Sequence, residues 1–190
     1  GEGECSAPIL ENYNDITFAD ISKNSLDVIK RNYSSFLTES IIFKECNIEL
    51  LPFENEIFDI VACAGGLSYG ENKLVLNEIH RVLKPNGIFI CIDSLNDNPI
   101  YKLNRYVHYL RGNRTKSTLK RMPNKKLLDA YNRKFGITKI NYSGTLIWII
   151  YPLSKIIGYR KSKFLYDFFD KYLPKWMSFK FIMEAKKISQ

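Results

Sequence analysis

Phe58-Asp59-Ile60-Val61-Ala62-Cys63-Ala64, then Glu78-Ile79-His80-Arg81-Val82-Leu83-Lys84-Pro85-Asn86-Gly87, then Ile88-Phe89-Ile90-Cys91-Ile92 decide the architecture. The run from Ile57 to Ala64 is apolar apart from Asp59, which predicts a strand buried on both faces. Leu74, Leu76, Ile79, Val82 and Leu83 recur at helical spacing. At Lys84-Pro85-Asn86-Gly87 a cation, a breaker and a φ-permissive glycine predict the helix stop. Strand, helix and strand in that order imply a right-handed parallel crossover.

The same rhythm extends upstream. Ile16-Thr17-Phe18-Ala19 reads as a strand ending at Asp20, followed by a helix capped by Ser22 or Asn24 and carrying Leu26, Ile29 and Tyr33. Ile41-Ile42-Phe43 is the next strand. Beyond residue 93 the rhythm breaks: residues 96–126 form a basic, aromatic-dotted helical insertion. Residues 124–135 predict a helix, 136–142 a strand and 179–185 a last strand. No internal repeat or linker composition separates a second domain.

Composition narrows the class. At 190 residues and 45% hydrophobic, the chain can bury one sizeable core. Cys5, Cys46, Cys63 and Cys91 show no CxxC spacing, so they read as reduced thiols of a cytoplasmic protein rather than metal ligands. The longest apolar stretch, Leu146 to Leu153, falls well short of the roughly 20 residues of a membrane-spanning helix. The formal charge of +8 is divided unevenly. Residues 1–96 carry 7 Lys and Arg against 15 Asp and Glu, a net −8, whereas residues 97–190 carry 21 against 5, a net +16. The second half therefore either meets an anionic ligand or presents a solvated lysine-rich face.

Gly1-Glu2-Gly3 ahead of an apolar segment, with Asp20 at the tip of the following strand, suits a nucleotide: glycines let backbone N–H groups approach it, and the acid accepts ribose hydroxyls. A nicotinamide or flavin dinucleotide would use the same pair. Three further motifs separate the options. Asn47-Ile48-Glu49-Leu50-Leu51-Pro52-Phe53, Phe58-Asp59-Ile60-Val61 and residues 78–87 resemble, in order and spacing, the class I S-adenosylmethionine-dependent methyltransferases of the ubiquinone-biosynthesis type. Asn47 stands where that family usually has Asp, and Asn86 replaces its first glycine.

The resemblance implies an α/β, Rossmann-like, mostly parallel seven-stranded methyltransferase sheet, here lacking its first strand, with a basic helical lid insertion. It also implies a single domain over residues 1–190: a cofactor-binding half (1–96), the insertion or lid (97–135), and C-terminal strands with an aromatic helix (136–190). Gly1 and Gly3 match the second and third glycines of the family's loop, with Pro8-Ile9-Leu10 opening the next helix. An upstream segment carrying the first glycine and a central strand is therefore expected. For S-adenosylmethionine, the resemblance assigns Asp20 to the ribose, Ile21 to the adenine face, the Asn47 amide oxygen to the adenine amino group and the Ile48 N–H to the ring. Ala64, Gly65 and Leu67 fall beside the methionine moiety, and Ser68 and Tyr69 nearest the reacting methyl.

Methyl transfer is an in-line displacement on an activated sulfonium, so alignment and water exclusion matter most. His108 and Tyr69 are the candidate catalytic groups for a hydroxyl acceptor. His80 reads as packing or surface. Arg105, Arg111 and Arg114 in the acid-free stretch 99–126 are candidates, with Tyr69, for binding an anionic small-molecule or glycan-intermediate acceptor through forked hydrogen bonds. The aromatic segment 162–172 reads as an apolar lid over the acceptor pocket, as a dimer face, or as an amphipathic helix touching a membrane surface. Rival functions are a non-catalytic binding domain and an RNA methyltransferase; against the latter, no NPPY-like or Pro-Cys signature follows the central strand. No metal site is expected.

Overall fold

The computed structural model describes Leu10, Asn12, Tyr13 and residues 15–189; Gly1 and Gly3 lie outside the described residues. Two compact units divide the chain, residues 1–53 and 54–190.

In the first unit, β1 (Ile16–Asp20) and β2 (Ile41–Glu45) pair in parallel from Ile16↔Ile41 to Asp20↔Glu45. Helix α1 (Lys23–Asn32) connects them and buries Leu26 and Ile29. Of the two predicted caps, Ser22 is the one used: its hydroxyl accepts from the Ser25 N–H at 3.2 Å. Phe18 and Phe43 stack across the strand pair at 5.2 Å, with the Lys30 ammonium 4.8 Å from the Phe43 ring.

The second unit carries β3 (Phe58–Ala64), α2 (Asn72–Val82), β4 (Leu83–Ser94), β5 (Gly136–Ser143) and β6 (Lys180–Lys187). The insertion is α3 (Pro99–Leu110), α4 (Lys116–Arg121) and α5 (Lys125–Phe135). A helical pair, α6 (Ile147–Ile157) and α7 (Tyr159–Tyr172), precedes β6. The strand order is β3-β4-β6-β5.

The fold is Rossmann-like α/β, but the expectation of one mostly parallel sheet needs correction. The described strands form a two-stranded and a four-stranded sheet, and in the latter only β3 and β4 run parallel; β6 is antiparallel to both its neighbours. The cause lies in the β5–β6 connection. Ser143 leaves β5 opposite Lys180, where β6 begins, so α6 and α7 return the chain to the end of the sheet it had just left. A parallel strand would require a crossover to the opposite end.

The predicted burial of β3 on both faces also needs correction. On one face of the sheet Phe89, Cys91, Phe181, Met183 and Ala185 are fully buried. There α2 and α5 supply the cover: Phe89 stacks on Tyr131 at 5.5 Å, and His80 meets Phe135 edge-on at 5.2 Å. On the other face Ile60, Ile90 and Ile182 remain 38–43% exposed. Those positions alternate with the buried ones, as the two-residue period of a strand requires.

Helix α2 ends at Val82, just ahead of the predicted stop, and residues 84–87 bulge from β4 between Leu83 and Ile88. Asn86, not Gly87, takes the left-handed conformation (φ 66°), which asparagine tolerates better than most residues. Gly87 is needed for space: a Cβ there would stand 2.9 Å from the Lys84 carbonyl oxygen and 3.1 Å from that of Asp59.

His80 packs rather than catalyses. Burial, then the positive charges of Lys187 and Lys134, lower its pKa from 6.5 to about 4. The unfolded chain therefore binds a proton that the folded chain refuses between these values, and stability falls as pH drops through that window. His80→Gln is expected to flatten this slope, measured as urea midpoints of variant and parent across the same pH range.

Candidate functional site

Each unit presents residues at the carboxyl ends of parallel strands, the edge at which open α/β sheets place their ligands. In the first unit, Asp20 closes β1 and Asn47 lies two residues beyond β2. The pairing continues past the strands, since the Cys46 N–H donates to the Asp20 carbonyl at 3.0 Å. Asp20 Oδ1 accepts from the Ser22 N–H at 2.8 Å, which orients the carboxylate at the strand tip. Ile21 is 70% exposed, so its side chain offers free apolar surface beside that carboxylate. Asn47 turns the chain: its Oδ1 accepts from the Glu49 N–H at 2.9 Å and its carbonyl from the Leu50 N–H at 3.0 Å. A carbonyl oxygen has two lone pairs, so Oδ1 retains capacity for one more donor.

In the second unit, Ala64 ends β3 and Gly65 follows at φ 69°, with nothing within 4 Å of the position a Cβ would occupy. The Gly65 N–H donates to the Ile92 carbonyl at 2.8 Å, tying this loop to β4. Leu67–Tyr69 then form a 3-10 turn that buries Leu67 and Ser68. Asp93 holds it, its Oδ2 accepting from the Leu67 N–H at 3.1 Å. Burial raises the Asp93 pKa above the ordinary carboxylate value, and the N–H groups of Ser94 and Leu67, with Arg105, oppose the rise. From the insertion, Arg121 Nη1 donates to the Tyr69 carbonyl at 3.3 Å. The turn is thus gripped by β4 on one side and α4 on the other, leaving Tyr69 itself 73% exposed.

Beside it lies a cavity of about 490 Å³, whose lining includes Tyr69, Ser94, Arg105, His108, Arg114 and Thr118. Four residues singled out from the sequence, Tyr69, Arg105, His108 and Arg114, therefore meet at one place. Arg111 is outside the lining; it caps the end of α3, its N–H bonded to the Val107 carbonyl. Arg105 is only 4% exposed, and its Nη1 donates at 2.8 Å to both the Leu95 carbonyl and Asn96 Oδ1, while Nη2 is buried with no hydrogen-bond partner among the described residues. Burial and then Arg114 draw its pKa down to about 10, so it remains a cation. His108 Nδ1 lies 3.5 Å from Asn113 Nδ2, at the outer limit of a hydrogen bond.

Sequence reasoning overlooked Asp93, Ser94, Asn113 and Thr118. Asp93 had a readable signal, an acid interrupting the end of an apolar strand. Ser94 is placed by its position at the end of β4, whereas Asn113 and Thr118 are ordinary polar residues in a polar segment that the turn between α3 and α4 brings to the cavity. Among the described residues, no group of three His, Cys, Asp or Glu side chains is placed to hold a metal ion.

A family model described as a methyltransferase domain matches residues 1–91. By sequence, residues 1–91 are therefore similar to a methyltransferase domain. The matched segment ends within β4, so the basic insertion and the helical pair lie beyond it. The demethylmenaquinone methyltransferase of Lactococcus lactis is 40% identical over 85 residues, which are 44% of this chain and 34% of that protein. The chain thus matches about a third of the length of that curated relative. Among solved structures, Bacillus subtilis YcgJ superposes with a TM-score of 0.68 at 17% identity, covering 100% of this chain and 89% of that one. Geranyl diphosphate C-methyltransferase of Streptomyces coelicolor gives 0.66 at 14% identity, over 99% and 68%. Both likenesses are of fold and run past residue 91, and the second is to a methyltransferase.

Proposed function

We propose that this protein transfers a methyl group from S-adenosylmethionine to an anionic small-molecule or glycan-intermediate acceptor, with oxygen as the receiving atom. The cavity beside Tyr69 carries this reading, because it gathers two arginines, a histidine and a tyrosine next to the loop that closes β3. The residues present suit the cofactor. The Asp20 carboxylate is an acceptor pair for two ribose hydroxyls, Ile21 is free apolar surface for a flat ring, and Asn47 and Ile48 supply the polar edge the adenine needs. Gly65 leaves open space for the methionine end. When bound, the cofactor supplies an electrophilic methyl.

The chain's own residues do the rest. Arg114 attracts the acceptor's negative charge, and Arg105 adds a cation in the cavity wall. His108 takes the acceptor proton, with Tyr69 orienting the hydroxyl. The insertion 97–135 acts as a lid that excludes water, within a single methyltransferase domain. The bound geranyl diphosphate of the Streptomyces protein is itself an anionic substrate in a protein of the same fold, which supports an anion-binding cavity.

Isothermal titration with S-adenosylmethionine tests the cofactor; absence of binding overturns the reading. The acceptor class is tested by S-adenosylhomocysteine release with paired phosphorylated and neutral hydroxyl compounds, where turnover of phosphorylated compounds is expected. Arg114→Ala should raise KM for a phosphorylated acceptor about tenfold with little change in kcat, as expected from losing one charge-assisted hydrogen bond made in ground and transition states alike.

A further inference from the structure

The helical pair α6–α7 presents a face to solvent that an ordinary surface would not. Trp148, Tyr151, Ile156, Phe164, Phe168 and Tyr172 are between 46% and 83% exposed. None of them lines the cavity, so they do not form an apolar cover on it. On α7 the exposed aromatics fall in one ladder at four-residue spacing, with Phe164 to Phe168 at 6.4 Å and Phe168 to Tyr172 at 4.8 Å between ring centroids. At about 100° per residue, Arg160, Lys161 and Lys171 fall on the same arc as the three rings. The Lys171 ammonium lies 5.3 Å from the Tyr172 ring. Asp167, at the edge of this arc, is paired with Lys163 at 3.1 Å. Asp170 points away from it, accepting from the Gly144 and Thr145 N–H groups.

We propose that this face binds an anionic lipid bilayer, lying in the headgroup region. Three arguments select that partner. Residues 147–177 carry six Lys and Arg against two Asp and no Glu, so a second copy of the same face would set like charges together. Exposed isoleucines, Ile149 and Ile156, offer nothing for a nucleic-acid base to stack on and gain only by leaving water. Aromatic rings interleaved with cations match a boundary where rings enter the acyl margin while lysine and arginine stems reach back to phosphates. No helix among the described residues is long and apolar enough to cross a membrane, so the contact is interfacial. The binding needs neither cofactor nor acceptor and stands independently of the catalytic reading.

The two tryptophans of the chain, Trp148 and Trp176, both belong to this region and are about half exposed, which makes emission a direct reporter. With phosphatidylcholine vesicles containing phosphatidylglycerol, a blue shift and co-sedimentation are expected. Vesicles of phosphatidylcholine alone should bind far less, and added salt should release the protein. Phe164→Ser with Phe168→Ser is expected to weaken binding at least about tenfold, through lost apolar insertion. Lys161→Gln with Lys171→Gln should weaken it roughly thirtyfold. All four side chains are exposed, and unchanged thermal melting verifies that each variant folds. The proposal is overturned by no binding to the anionic vesicles, by binding indifferent to both variant pairs, or by retention of RNA without vesicle binding. A dimer by light scattering that Phe168→Ser dissociates, again without vesicle binding, overturns it in favour of a second copy.

Discussion

Phe135→Ala is expected to destabilise the protein by about 4 kcal/mol, seen as a large fall in urea midpoint with the m-value preserved. Phe135 is fully buried at the last turn of α5. Its ring stacks on Tyr131 at 5.9 Å and Phe89 at 6.2 Å and receives the edge of His80 at 5.2 Å. Removing it opens a cavity among side chains from α2, β4 and α5, and aromatic neighbours held in a close-packed stack relax poorly into such a void. Its carbonyl also accepts from the Ile188 N–H at 3.1 Å, so the helix end and the exit from β6 meet at this residue. Phe135→Leu keeps much of the volume and should recover over half of the loss. Equal loss in the two variants would show that ring stacking, not cavity volume, dominates.

Asp20→Ala is expected to weaken S-adenosylmethionine binding several hundredfold by isothermal titration. A carboxylate accepting two hydroxyls makes two charge-assisted hydrogen bonds, each contributing about 1.5–3 kcal/mol. The substitution also removes the acceptor of the Ser22 N–H at the strand tip. That local loss should lower the melting temperature only slightly, which separates it from a binding defect. Asp20→Asn, retaining one acceptor without charge, should fall between the two. Unaltered affinity in Asp20→Ala would remove the ribose assignment and with it the placement of the cofactor in the first unit.

The elements were largely legible because the information that sets them is local. The end of α2 just ahead of residues 84–87 and the Ser22 cap follow from residue chemistry within a turn or two. The same is true of Asp20 at the end of its strand, where its carboxylate and the Ser22 cap begin the next turn. Arg105, Arg111 and Arg114 looked equivalent in the sequence, being three arginines in one basic stretch. The structure separates them: Arg105 is buried against Leu95 and Asn96, Arg114 lines the cavity, and Arg111 ends a helix.

Similar limits apply to the sheet. A β-prone run predicts a strand, but its direction depends on where the preceding connection ends, and α6–α7 bring β6 back antiparallel. Burial of β3 on both faces was inferred from an apolar run, yet how much of an apolar face is covered depends on which helices pack there. Periodicity, caps and the acid-tipped strand were therefore determined by the sequence alone, because each rests on interactions between near neighbours. The order of the last strands, the assembly of the cavity from Tyr69, His108 and Arg114, and the support of the Tyr69 turn by Asp93 were decided by tertiary structure. Those features join residues far apart in the chain, from 26 positions between Leu67 and Asp93 to 98 between Ile88 and Lys186, and only the packing of the intervening elements brings them within reach.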